Sequence, residues 1–445
     1  MKLSNNLIIF FAILSICSSL TYAIFGNSFG FIFFLLLFGF WFCTLLAKGI
    51  FKSFMFIQSI VYTTFFSISV FLTPISDDAS RYALLGAISE GERYSVITTI
   101  TILAFIYVLT ITFLSQFSHY KLSQERVNLN FLALFNFVIF ITIIRIIVNF
   151  TLEENLVGKI INFVGAYYRL DLSFVFLIVF GCMQQTKDRR TIWHSVVFFV
   201  LTTVGGSKEG LFRIGYAFII RLRARLSKIG FGLYTSLVII LAMTSVPLIV
   251  FVATAVRLKI PLSIDNFLDF TSGTSKLIDG GLVNFILARL SGADDIIWTF
   301  DKGHIFETYY TFGNMVRSVI DYIVPLQVFD SLPLTNYINL SRGFSINEIT
   351  MIYSSKEITL MGSAYHLSGS YLPGAMLYMM LLAILTFLVF HLYKGRDIYV
   401  VTLLYSSFYF IRSLSVDDTI GMTINYLLSA FIMVSSLKLY QRLKL

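Results

Sequence analysis

Charge is what this chain has least of. Only 13% of its 445 residues are Asp, Glu, Lys or Arg, roughly half the share of a soluble globular protein. That scarcity excludes an ordinary water-soluble domain. Cysteine is also rare: Cys17, Cys43 and Cys182 each lie inside an apolar run. They supply neither a disulfide framework nor paired metal-ligand spacing. Histidine occurs five times, without a metal-binding motif, and no cofactor signature is present. Internal repeats, low-complexity tracts and nucleic-acid-binding motifs are absent as well. The net charge of +9 therefore does not imply a nucleic-acid partner, because membrane topology alone concentrates basic residues on one side.

What the chain does have is apolar bulk. Hydrophobic residues make up 57%, with 47 Phe and 24 Tyr, and the mean hydropathy is +0.83. This is the composition of an all-α, polytopic integral membrane protein. A span needs about 20 apolar residues. That criterion predicts about twelve transmembrane helices, near 5–25, 28–47, 53–74, 95–118, 131–151, 170–184, 192–206, 209–226, 231–253, 371–393, 398–412 and 419–437. Residues 2–23 also resemble a secretory signal, with Lys2, an apolar run and Thr21-Tyr22-Ala23. An uncleaved first span is the preferred reading, since a second apolar segment follows at once. The whole chain, 1–445, reads as one multi-pass domain.

Orientation follows from Lys and Arg in the connecting loops. With the N-terminus inside, one side collects Lys48, Lys52, Lys121, Arg126, Lys187, Arg189, Arg190, Arg221, Arg223, Arg225, Lys228, Lys394 and Arg396. Both termini are then expected in the cytoplasm, and residues 254–369 form one large external loop. A loop of that length should contain its own helices. GLVNFILARL (281–290) and HIFETYYTFGNMVRSVIDYIV (304–324) have the periodicity for them, the second halted by Pro325.

This topology gives TTVGGSKEGLFRIGY (202–216) a meaning. Its glycines form the outer end of a tight hairpin, which places Lys208 at the outer mouth and Arg213 about one turn inside the next helix. Arg169, Arg289 and Arg412 fall on the same side, with Arg145 deeper within a span. Basic groups gathered there suit a phosphorylated lipid head group, because arginine offers a planar, bidentate fit to phosphate oxygens. Taken singly, each is also what a snorkelling side chain or a surface ion pair looks like. The acidic pair Asp294–Asp295 follows Arg289 in ARLSGADD, and similar pairs occur at 77–78 and 417–418. Such carboxylates act as bases or hold Mg²⁺, although solvated turns and helix caps are commoner. His304 and His366 are the histidines that can reach an outer site.

Many spans, a glycine-serine-basic hairpin, a long late external loop and a short helical tail together resemble the O-antigen polymerases of the Wzy type. The local likenesses are GGSKEGL (205–211), NFILARLSGADD (284–295), TFGNMVRSVIDYIVP (311–325) and MGSAYHLSGSYLPG (361–374). The resemblance implies a glycosyltransferase of GT-C-like architecture in the bacterial inner membrane, with its active site facing the periplasm and no metal or other cofactor. Its substrates would be oligosaccharide repeat units carried on undecaprenyl diphosphate. Lys208, Arg213 and Arg289 would hold the diphosphate, with Arg169, Arg145 and Arg412 as further candidates. His366, Asp295 or Asp294 would take the acceptor's proton. Expected partners are the lipid membrane, a chain-length regulator and a repeat-unit flippase. The alternatives are an O-antigen ligase transferring polymer to lipid A-core, and a flippase or other transporter.

Overall fold

In lipid a backbone must satisfy its polar groups internally, and every element among the described residues is a helix. The computed structural model describes residues 28–56, 58–59, 90–118, 120, 129–151, 156–180, 190–204, 213–215, 217–218, 220, 251, 263–272, 311–324, 329, 359–407 and 415–443. The helices are α1 (Ser28–Leu46), α2 (Glu90–Ser115), α3 (Phe131–Thr151), α4 (Leu156–Tyr167), α5 (Leu170–Val179) and α6 (Arg190–Val204). They continue with α7 (Ile264–Ser272), α8 (Phe312–Ile323), α9 (Thr359–Leu367), α10 (Leu372–Leu392), α11 (Asp397–Ser406) and α12 (Val416–Leu443).

Five stretches are long and apolar enough to cross a membrane: Thr98–Ser115, Phe131–Val148, Val157–Val179, Leu372–Leu392 and Val416–Leu443. Ile192–Thr203 and Asp397–Ser406 are shorter apolar helices. Four of the five correspond to spans expected from sequence. The fifth differs, since the sequence places that span at 170–184 and the structure at Val157–Val179. The expected span at 5–25, and most of those at 53–74, 209–226 and 231–253, lie outside the described residues, as does the helix expected at 281–290.

The side-chain pattern of α10 shows why these helices belong in lipid. Ala375, Met379, Ala383 and Phe390 are buried, whereas Leu377, Leu381, Ile384 and Leu388 are exposed on the other side. A helix apolar on every face has no polar side to give to water. On α3 the same holds, with Phe135 and Val138 inward and Phe137, Phe140, Ile143 and Ile147 outward. These apolar surfaces mark a multi-pass membrane protein.

The short helices α5 and α11 are enclosed. Residues 171–179 of α5 are all buried, as are eight of the ten residues of α11. Aromatic rings fill the space around α5: Phe174 stacks on Phe198 of α6 at 4.4 Å, and Phe176 meets Phe131 of α3 at 5.9 Å. On the other flank α2 packs along α1 and α10, and the Tyr107 hydroxyl bonds Thr386 at 3.0 Å.

Helix α8 is the observed part of the amphipathic helix expected at 304–324, and residues 304–310 lie outside the described set. Thr311 caps it, its hydroxyl accepting from the Asn314 amide at 3.3 Å. The helix lies against the first turns of α12. Gly421 permits the contact, because a Cβ there would stand 2.5 Å from Tyr322 Cβ. Helix α9 reaches the same end of α12, where Ser363 Oγ accepts from the Val416 amide at 3.0 Å. At another turn Gly49 has φ +57, and a Cβ there would lie 2.3 Å from the Tyr120 carbonyl oxygen, so only glycine fits.

Candidate functional site at a broken helix

The apolar run Val157–Val179 does not form one continuous helix. Helix α4 ends at Tyr167, Arg169 adopts an extended conformation (φ −74, ψ 121), and α5 starts at Leu170. The break sits near the middle of the run. It leaves the first N–H groups of α5 without intrahelical acceptors and creates a partial positive charge there. Asp171, in the first turn, meets both needs, and its Oδ1 accepts from the Leu172 amide at 2.9 Å.

Around Asp171 the structure gathers residues far apart in sequence. Its Oδ2 accepts from Tyr426 Oη at 2.5 Å, Arg213 Nη1 at 3.1 Å and Tyr405 Oη at 3.4 Å. Arg169 Nε approaches Oδ1 at 3.4 Å. Arg169 also donates from Nη1 to Asn425 Oδ1 at 3.2 Å and from Nη2 to Tyr426 Oη at 2.9 Å. Its guanidinium carbon stands 3.9 Å from the centre of the Tyr426 ring, within cation–π range. Asn425 in turn donates to the Tyr322 carbonyl at 3.2 Å, which ties the cluster to α8.

Two arginines on one carboxylate leave a net positive charge. Burial is graded across the group: the Asp171 side chain is 4% exposed, against 24% for Arg169 and 20% for Arg213. The carboxylate is thus sealed inside, while both arginine side chains remain partly exposed. Arg145 flanks the group from α3. Its Nε donates to Asn162 Oδ1 at 3.0 Å, and its Cδ lies against Gly165, one turn before Arg169. Such an arrangement is suited to an anion with several oxygens. Buried ion triads are weak stabilisers, since desolvation offsets their attraction, and ionisable groups inside a membrane helix point to function.

Of the residues singled out from sequence, Arg145, Arg169 and Arg213 lie in or beside this cluster. Lys208, Arg289, Arg412, Asp294 and Asp295 lie outside the described residues. His366 is buried on α9, which packs against α2, α10 and α12. Burial pushes its imidazole down to about 4, so it is neutral at pH 7 and holds a captured proton weakly.

Sequence reasoning missed Asp171, Tyr405, Asn425 and Tyr426. One signal was available for Asp171, an acid two residues after an arginine within a long apolar run. The pair Asp417–Asp418 is a second difference. Expected as a solvated turn or cap, it stands in the first turn of α12 but is buried. Asp417 accepts from Ser318 at 2.7 Å and from Ser415, and Asp418 bonds the Tyr322 hydroxyl. Burial, followed by the Asp418 charge, pushes the Tyr322 phenol well above its ordinary value. Among the described residues no group of three or more His, Cys, Asp or Glu is placed to hold a metal ion.

No protein-family model, curated protein or solved structure matches the chain.

Proposed function

We propose that this protein is a membrane-embedded O-antigen polymerase, joining oligosaccharide repeat units carried on undecaprenyl diphosphate. The observation that carries the reading is the pairing of Arg169 and Arg213 across one buried carboxylate, with Arg145 alongside. The reaction class comes from the sequence resemblance. In the reaction an acceptor hydroxyl attacks the anomeric carbon of the donor sugar, and the bond from that carbon to the diphosphate oxygen breaks. The electron pair departs with the diphosphate, so positive charge fixed beside it lowers the barrier. The hydroxyl proton passes to a base, for which Asp294, Asp295 and His366 are the candidates, and the anomeric centre inverts. The growing chain thereby moves onto a new lipid-linked unit at the periplasmic face.

The test is a lipopolysaccharide gel from the native host. Deletion is expected to leave core plus a single repeat unit, and Arg169→Ala, Arg213→Ala, Lys208→Ala or Arg289→Ala to abolish the long ladder at normal protein level. Normal ladders from all four variants overturn the reading. Lipid-linked polymer accumulating after deletion would identify a ligase instead. The broken helix favours one second reading, a flippase for the same lipid diphosphate, because transporters place half-helix N-termini at anionic substrates. Its loss would leave core without any added unit.

A further inference from the structure

The geometry assigns Asp171 as a positioning residue, one that aims Arg169 and Arg213 at the diphosphate without touching it. This rests on the diphosphate reading above. The carboxylate lies behind the arginines, closed off by Tyr405 and Tyr426, which are both buried. It holds one guanidinium from the break between α4 and α5 and one from residue 213, 42 residues along the chain from Asp171. Tyr426 couples them further, since its hydroxyl donates to Asp171 and accepts from Arg169. Of the five N–H groups on the Arg169 guanidinium, three are spent on Asp171, Asn425 and Tyr426. The remaining two make no hydrogen bond among the described residues, and under this proposal they fall to the ligand. Without the carboxylate the two cations repel each other across the site and lose their common alignment.

Two effects of Asp171→Asn oppose each other. Neutralising the residue removes a negative charge that would repel an anionic ligand, and it also frees the arginines. Alignment wins here because Asp171 is sealed from the accessible side, whereas every contact the ligand makes depends on where the guanidiniums point. The experiment titrates inorganic pyrophosphate into the purified full chain in detergent, using isothermal calorimetry. Asp171→Asn should bind about tenfold or more weakly than wild type, the loss of at least one charge-assisted hydrogen bond, and Asp171→Glu should recover part of it. Adding Asp171→Asn to an Arg213→Ala background should cost less binding than it does in wild type, because one of the two cations it aligns is already gone, which a merely structural role does not predict. If Asp171→Asn does not fold, Tyr426→Phe replaces it and should weaken binding by about threefold or more, the loss of a single hydrogen bond. Binding by Asp171→Asn that equals or exceeds wild type overturns the inference and leaves the diphosphate reading standing. Absence of pyrophosphate binding by the wild-type chain overturns both.

Discussion

Replacing Asp171 with asparagine changes one oxygen for an amide and almost no volume, which makes the electrostatic consequence legible. The carboxylate attracts Arg213 at 3.1 Å and Arg169 at 3.4 Å. At an effective dielectric near 20, one such pair corresponds to about 5 kcal/mol of bare attraction. Desolvation already offsets much of it in the folded protein, yet removing the anion does not return that cost, because both cations stay enclosed. Breaking a buried pair in this way typically costs about 3–5 kcal/mol. The partial exposure of both arginines places this site at the lower end. Unfolding of the purified protein by SDS in mixed micelles, followed by circular dichroism, measures the loss. A triple variant that adds Arg169→Met and Arg213→Met should regain most of the stability, short by about 1–2 kcal/mol for the donor that Asn425 loses. It should bind no pyrophosphate. A loss below about 1 kcal/mol for Asp171→Asn, or a triple variant no more stable than the single one, would refute the claim that Asp171 is the shared counter-ion.

Two further outcomes are expected. Gly421→Ala places a methyl 2.5 Å from Tyr322 Cβ and 3.4 Å from the Val319 carbonyl oxygen, so α8 must shift off α12 at a cost of about 1–3 kcal/mol. The same SDS titration reads the loss, and unchanged stability would show that the contact yields freely. His366 is held at about 4, below its ordinary 6.5, so the unfolded chain takes up the proton first. Its contribution to stability is complete above pH 6.5 and falls as the pH drops towards 4, amounting to about 2 kcal/mol between pH 7 and pH 5. His366→Gln should flatten that part of the pH profile, and an identical slope in both proteins would remove burial as the cause.

Composition and local periodicity settled the membrane class. A helix such as Leu372–Leu392 is apolar on every side, and no packing arrangement could make it water-soluble. The amphipathic helix before Pro325 was legible for the same reason, since its pattern lies within consecutive residues. Arg145, Arg169 and Arg213 stood out as charges among apolar neighbours, where insertion is costly. The partner that Arg169 and Arg213 share did not stand out. Asp171 and Arg213 are 42 residues apart, and Asp171 and Tyr426 are 255 apart. Hydrophobic pattern carries no information about which distant polar groups meet. The break at Arg169 was equally hidden, because neither proline nor glycine marks it and the apolar run continues on both sides. Burial of Asp417 and Asp418 depended on α8 lying across the first turns of α12, a contact that Gly421 permits. The sequence alone determined which segments partition into lipid, since that is a sum over neighbouring side chains. Tertiary structure alone decided which charges neutralise each other, since that depends on distances set by packing.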